Sequence, residues 1–125
     1  MKAVIDSDIL IDFLQGLNQA KIEIGRYQTP LYSIVSWMEI MCGAETKEER
    51  ESAEALLHSM KRIDLSLPIA EKAVEERKRL KLKLPDAIIL ASADVEGCIL
   101  VTRNTKDFDA KDPRVRIPYS VRVSP

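Results

Sequence analysis

Lys2-Ala3-Val4-Ile5-Asp6-Ser7-Asp8-Ile9-Leu10-Ile11-Asp12 opens the chain. A short apolar run meets a carboxylate, and an amphipathic run follows with no Gly or Pro between them. That is the pattern of a buried strand turning directly into a helix. Asp6 then stands at the carboxyl end of the first strand. In open α/β sheets that edge is where ligands bind, so an acidic side chain there is the first candidate for chemistry.

Ile9 to Leu14 continues as a short helix ended by Gly16, and a second helical pattern runs from Asn18 to Arg26. Leu31 to Val35 reads as a second strand. Ser36-Trp37-Met38-Glu39 then has the spacing of a capping box and opens a helix toward Gly43. Thr46-Lys47-Glu48-Glu49 repeats that spacing and opens the helix Lys47 to His58, whose Ala53, Leu56, Leu57 and Met60 form an apolar stripe. Lys61 to Leu65 reads as a third strand. Pro68 suits the first turn of a helix reaching Leu80, and Pro85-Asp86 begins another that ends at Gly97. Cys98 to Thr102 is a strand by composition, and Val115 to Ile117 a weaker last one. Strands alternating with helices predict an α/β fold with a mostly parallel sheet and right-handed crossovers.

The 125 residues, 46% of them hydrophobic, suffice for a single core, so residues 1–125 are expected to form one domain. No apolar run approaches the roughly 18 to 20 residues of a membrane span, and Met1 to Ile5 meets Asp6 too soon for a signal peptide. A cytoplasmic protein with no membrane partner is expected. Cys42 and Cys98, each in an apolar context, read as two buried thiols rather than a disulfide. His58, the one histidine, reads as a surface residue, which excludes chemistry built on a histidine pair. Nineteen basic and twenty acidic residues give a net charge of −1, so any nucleic-acid contact must come from local patches.

Acidic or amide side chains fall where strands hand over to helices or loops: Asp6, Glu39, Asp86, and Asn104 or Asp107. In a parallel sheet these handovers share one edge, so residues far apart in sequence converge. Two carboxylates about 4 Å apart repel by around 4 kcal/mol at an effective dielectric near 20, so a cluster calls for protons or a cation. Oxygen ligands without His or Cys suit Mg²⁺ or Mn²⁺ rather than zinc. Taken singly, each residue also has a structural explanation. Asp6 fits a helix N-cap, Glu39 the capping-box partner of Ser36, and Asp86 a favourable charge on a helix dipole. Asp8 and Asp12 read as exposed or capping. The basic run Arg77 to Lys83 serves equally as a solvated helix end and as a positive rim for a phosphate backbone.

Four blocks in order resemble the PIN domain, and within it the VapC-type toxin ribonucleases. They are Val4 to Asp12, Ser33 to Gly43, Pro85 to Ala93 and Leu100 to Phe108. The resemblance implies a three-layer α/β/α sandwich around a parallel sheet, Mg²⁺-dependent cleavage of RNA (Mn²⁺ serving as well), a homodimer, and a cognate VapB-like antitoxin as partner. It puts Asp6 and Asp86 at the metal ligands, Ser7 at the small hydroxyl position, and Glu39 at the family glutamate that orients or deprotonates a water. Asn104 or Asp107 would complete the outer shell. Asn104 departs from the Asp that many relatives carry, which bears on a second metal site. The alternatives are a PIN nuclease of RNA processing, a PIN module that only binds RNA or antitoxin, and a haloacid-dehalogenase-like phosphatase, whose nucleophile and acid pair Asp6-Ser7-Asp8 copies.

Overall fold

The computed structural model describes residues 1–121. The chain runs β1 (Lys2–Ile5), α1 (Ser7–Leu14), α2 (Asn18–Gly25), β2 (Thr29–Ser33), α3 (Ile34–Gly43), α4 (Lys47–His58), β3 (Lys61–Ile63), α5 (Leu67–Leu80), α6 (Leu84–Glu96), β4 (Ile99–Val101) and β5 (Val115–Arg116). The five strands form one sheet in the order β3-β2-β1-β4-β5, and every pairing is parallel. Among the described residues no helix is long and apolar enough to cross a membrane.

Alternation along the strands builds the layers. Val4, Leu31 and Leu100 point to a core shared with Ile69 and Ala73 of α5 and Ala87, Leu90 and Ala91 of α6. Their neighbours Ala3, Ile5, Tyr32 and Val101 point to the opposite face, against Ile9 and Leu10 of α1, Ala20 and Ile24 of α2, and Leu56 and Leu57 of α4. A period-two pattern on a sheet buried on both sides therefore yields the α/β/α sandwich that the resemblance implies. α3 bridges the two cores, with Val35 in the first and Ile40 in the second.

Local chemistry fixes the handovers. Asp6 accepts from Ser7 N and caps α1, so strand passes to helix with no loop. Ser33 caps α3 by accepting from Val35 N, and the helix therefore starts at Ile34. The capping box expected of Ser36 and Glu39 does not form. Ser33 reaches the first free N–H groups three residues earlier, and Ser36 is buried inside the helix. The box at Thr46 and Glu49 does form and starts α4 where the spacing predicts. Lys81 ends α5 in the left-handed region, at φ 57°, where Arg77 accepts from Lys81 N and donates to the Leu82 carbonyl. Gly97, at φ 70°, ends α6 in the same region and turns the chain into β4.

β2 lies two residues earlier than expected and β3 is shorter, because Ile34 and Val35 are taken by α3 and Asp64 and Leu65 lie outside the sheet. Cys98 is half-buried, but Cys42 is exposed on the outer side of α3, so it is not the buried thiol its apolar neighbours suggest. His58 is exposed, as expected.

Candidate functional site

The sheet order reverses direction between β1 and β4, since β2 and β3 lie on one side of β1 while β4 and β5 lie on the other. Such a switch point opens a crevice at the carboxyl ends of the strands. Asp6 follows β1 and Thr102 follows β4, and they meet across it. Asp6 N donates to the Val101 carbonyl at 2.9 Å. Thr102 Oγ1 donates to Asp6 Oδ2 at 2.7 Å, while Ser7 N donates to Oδ1 at 2.7 Å. Asp6 is 5% exposed, and among the described residues those two hydrogen bonds are what its carboxylate has to offset burial.

The consequence is a carboxyl pushed from 3.8 up to about 7, first by burial, then by the charge of Asp8, with Asp86 behind it. Asp8 is itself raised by burial, opposed by the Arg103 N–H at 3.2 Å and the Arg103 charge. Asp86, in the first turn of α6, is raised by burial and then by Asp107, Glu39 and Asp8, while Lys83 pulls it down. Asp86 thus links the fields of Asp6 and Asp8 to those of Glu39, in the second turn of α3, and Asp107.

Glu39 is held from a different side. Ser7 Oγ lies 2.8 Å from Glu39 Oε1 and 2.8 Å from Ser36 Oγ. The hydroxyl has one proton and the carboxylate is the stronger acceptor, so Ser7 donates to Glu39 and the Ser36 hydroxyl completes the relay by donating to Ser7. This link across α1 and α3 replaces the local capping role that the spacing suggests for Glu39. Asn104 and Asp107 form a turn of their own. Asn104 Nδ2 donates to Asp107 Oδ2 at 2.9 Å, and Asp107 N donates to Asn104 Oδ1 at 3.2 Å. The Asn104 carbonyl is therefore engaged by the backbone, and Asp107 is the member of the pair that presents charge to Asp86.

Asp12 overturns its sequence reading. It is buried rather than exposed, and it accepts from Arg103 Nε at 2.6 Å, Arg103 Nη2 at 3.0 Å and Tyr119 Oη at 2.8 Å. Burial alone would raise its carboxyl, but these bonds hold it below the usual range. Asp8 is half-buried beside Asp6, again not a solvent-facing cap alone. Thr102, Ser36, Asp8, Arg103 and Tyr119 are site neighbours that are not among the candidate site residues read from the sequence. Of the basic run, Arg79 pairs with buried Glu76 and Arg77 bonds the Leu82 carbonyl. Lys78, Lys81 and Lys83 stay exposed, with Lys83 one turn from Asp86.

A groove of about 340 Å³ opens beside Glu39, with an apolar floor that includes Ile11, Leu14 and Ile40 and a rim carrying Glu39, Glu48 and Glu49.

The family model described as PIN domain matches residues 3–112. A chain of a toxin-antitoxin complex from Klebsiella pneumoniae is 41% identical, with a TM-score of 0.88 over 95% of this chain and 99% of that one. Chains from VapBC2 of Rickettsia felis bound to a DNA fragment from its promoter (19% identity, TM-score 0.78, covering 92% and 96%) and from VapBC-1 of nontypeable Haemophilus influenzae (17%, 0.79, 94% and 98%) share the fold. No curated protein matches the sequence.

Proposed function

The chain belongs to the PIN-domain family, and from that premise and the chemistry of its sheet edge we propose that it is a Mg²⁺-dependent endoribonuclease, the toxin of a toxin–antitoxin pair. The observation that carries this reading is buried Asp6, facing Asp8 and Asp86 with only two hydrogen bonds set against burial. Family membership also sets aside the phosphatase alternative.

The donor set fits a hard divalent ion. It is all oxygen, and its members raise one another's carboxyls, a conflict that a cation relieves. Among the described residues no three His, Cys, Asp or Glu side chains group closely enough to hold a metal ion by themselves, so waters or substrate oxygens would have to complete its shell. Asp6 and Asp86 would hold it. A divalent ion there supplies a Lewis acid for the phosphate and lowers the pKa of a bound water.

The protein's own part is orientation and proton transfer. Ser7 occupies one oxygen of Glu39, which turns the other toward solvent, where it takes the proton of the attacking water. The water oxygen bonds to phosphorus as the bond from phosphorus to the 3′-oxygen breaks, and that oxygen takes a proton from solvent. The products carry 5′-phosphate and 3′-hydroxyl ends, since the ribose 2′-hydroxyl takes no part. Asp107 adds negative charge beside Asp86, and Asn104 shapes its turn. Lys78, Lys81 and Lys83 offer the phosphate backbone a positive rim.

The toxin role rests on the similarity to a chain of a toxin-antitoxin complex. The groove beside Glu39, apolar within and acidic at its rim, fits an antitoxin segment of apolar and basic residues. The protein would work as a homodimer, so light scattering should give twice the 14.1 kDa chain mass.

The test is cleavage of a structured RNA pool by purified protein with Mg²⁺ or Mn²⁺, with EDTA, and with Asp6→Asn, beside a single-stranded DNA control. Metal-dependent RNA cleavage leaving 5′-phosphates, lost in the variant, is the expected result. Activity that survives EDTA or Asp6→Asn would overturn the proposal. So would folded, antitoxin-free protein that is inert in every arm.

A further inference from the structure

Asp8 and Asp12 lie four residues apart on α1, so their carboxylates share one helix face. Arg103 meets both. Its backbone N–H donates to Asp8 Oδ2 at 3.2 Å, while its guanidinium forks onto Asp12 at 2.6 and 3.0 Å. Thr102, immediately before it, donates to Asp6, and Asn104, immediately after, donates its N–H to Thr102 Oγ1 at 3.1 Å. Arg103 is thus the cation at the centre of the β4 handover. Its main chain stands among the cluster's anions, and its charged end is turned away from them.

What turns it away is Asp12. The carboxylate is buried, offers the planar fork two oxygens, and is held in place by the Tyr119 hydroxyl arriving from beyond β5. One turn back, Asp8 offers no such fork partner. Its Oδ1 caps Ile9 N at 2.7 Å and its Oδ2 accepts the Arg103 N–H, and among the described residues no guanidinium hydrogen bond reaches it. An arginine released from Asp12 has Asp8, one turn back on the same helix face, as its neighbouring carboxylate. A guanidinium docked there would neutralise the field that a divalent ion needs.

Building on the metal-site reading above, we propose that Asp12 is a positioning residue that keeps the Arg103 guanidinium out of the Asp6, Asp8 and Asp86 cluster. The cluster thereby stays open to a divalent cation. Asp12 touches neither ion nor substrate, and its whole effect passes through Arg103. Tyr119 belongs to the same device, since its hydroxyl fixes the carboxylate in the orientation that the fork requires.

The test is Mn²⁺ binding by calorimetry and by electron paramagnetic resonance at pH 7, on wild type, Asp12→Asn, Tyr119→Phe and the double variant Asp12→Asn/Arg103→Gln, with thermal unfolding run beside them. Asp12→Asn should raise the Mn²⁺ dissociation constant at least tenfold, and Tyr119→Phe by a smaller factor in the same direction. The double variant, which removes the displaced cation along with its lost partner, should return the constant to within a few-fold of wild type. A purely structural clamp predicts the opposite order, with the double variant no tighter than Asp12→Asn, and that result would overturn the inference. So would an Asp12→Asn variant that binds like wild type. Should Asp12→Asn not fold, Tyr119→Phe with and without Arg103→Gln poses the same question. Wild type that binds no Mn²⁺ would instead refute the metal-site reading itself, which keeps the two failures apart.

Discussion

Replacing Asp6 by Asn should stabilise the metal-free protein while abolishing its chemistry. The Asp6 carboxyl is raised from 3.8 to about 7, by burial first and by Asp8 next. The native state therefore binds this proton more tightly than the unfolded chain does. Its contribution to stability is fully present below pH 3.8 and is lost as pH rises to about 7. At about 1.36 kcal/mol per pH unit, integrating across that window gives a loss of about 4 kcal/mol by pH 7. Asparagine carries no charge to lose and keeps the local bonds. Its carbonyl can still cap Ser7 N, its amide can donate to Thr102 Oγ1, and the Thr102 hydroxyl can turn to Asp8 Oδ2, 3.3 Å away. Because Asp8 takes up part of the shared proton, we expect a gain of about 2 to 4 kcal/mol at pH 7, shrinking toward zero near pH 4. Urea unfolding in EDTA at both pH values measures it. Saturating Mn²⁺ should then stabilise the wild type by mass action and leave the variant unmoved. An Asp6→Asn protein less stable than wild type at pH 7 in EDTA, or a gain independent of pH, would refute the electrostatic account of this edge.

Glu39→Gln should lower kcat by about 100-fold or more, with Mn²⁺ affinity nearly unchanged, in single-turnover cleavage and calorimetry. Asn104→Asp replaces the 2.9 Å amide bond to Asp107 with two facing carboxylates. In EDTA it should cost about 1 to 4 kcal/mol in urea unfolding, and Mn²⁺ should restore that loss with a second ion bound per chain. Glu76 is 1% exposed and receives Arg114 and Arg79 at 2.7 Å each and Lys72 at 3.8 Å, so Glu76→Ala should cost about 3 kcal/mol or more. Being remote from Asp6, it should leave kcat of the folded fraction intact.

The sequence carried the parts of this molecule that local pattern writes. Val4-Ile5 before Asp6, the Thr46 and Glu49 box, and Pro85-Asp86 at a helix start each specify an element through its own neighbours, and each is found where expected. Convergence of Asp6, Glu39, Asp86, Asn104 and Asp107 on one edge was legible because parallel topology imposes it. What local pattern could not write is competition between equals and contact at a distance. Ser33 and Ser36 are both good caps, and only the end of β2 decides for Ser33. Asp12 looks like any polar residue on an exposed helix face until Arg103, 91 positions away, and Tyr119, 107 positions away, arrive to bury it. Cys42 shares its apolar neighbours' helix but not their face, and a helix of ten residues leaves that phase ambiguous.

The most direct test of the central claim is where a divalent ion goes. Anomalous scattering from a crystal of the protein soaked in Mn²⁺ should show a peak shared by the carboxylates of Asp6 and Asp86, with none in an Asp6→Asn crystal treated alike. A peak elsewhere on the surface, or no peak at this edge from wild-type crystals, would contradict the account.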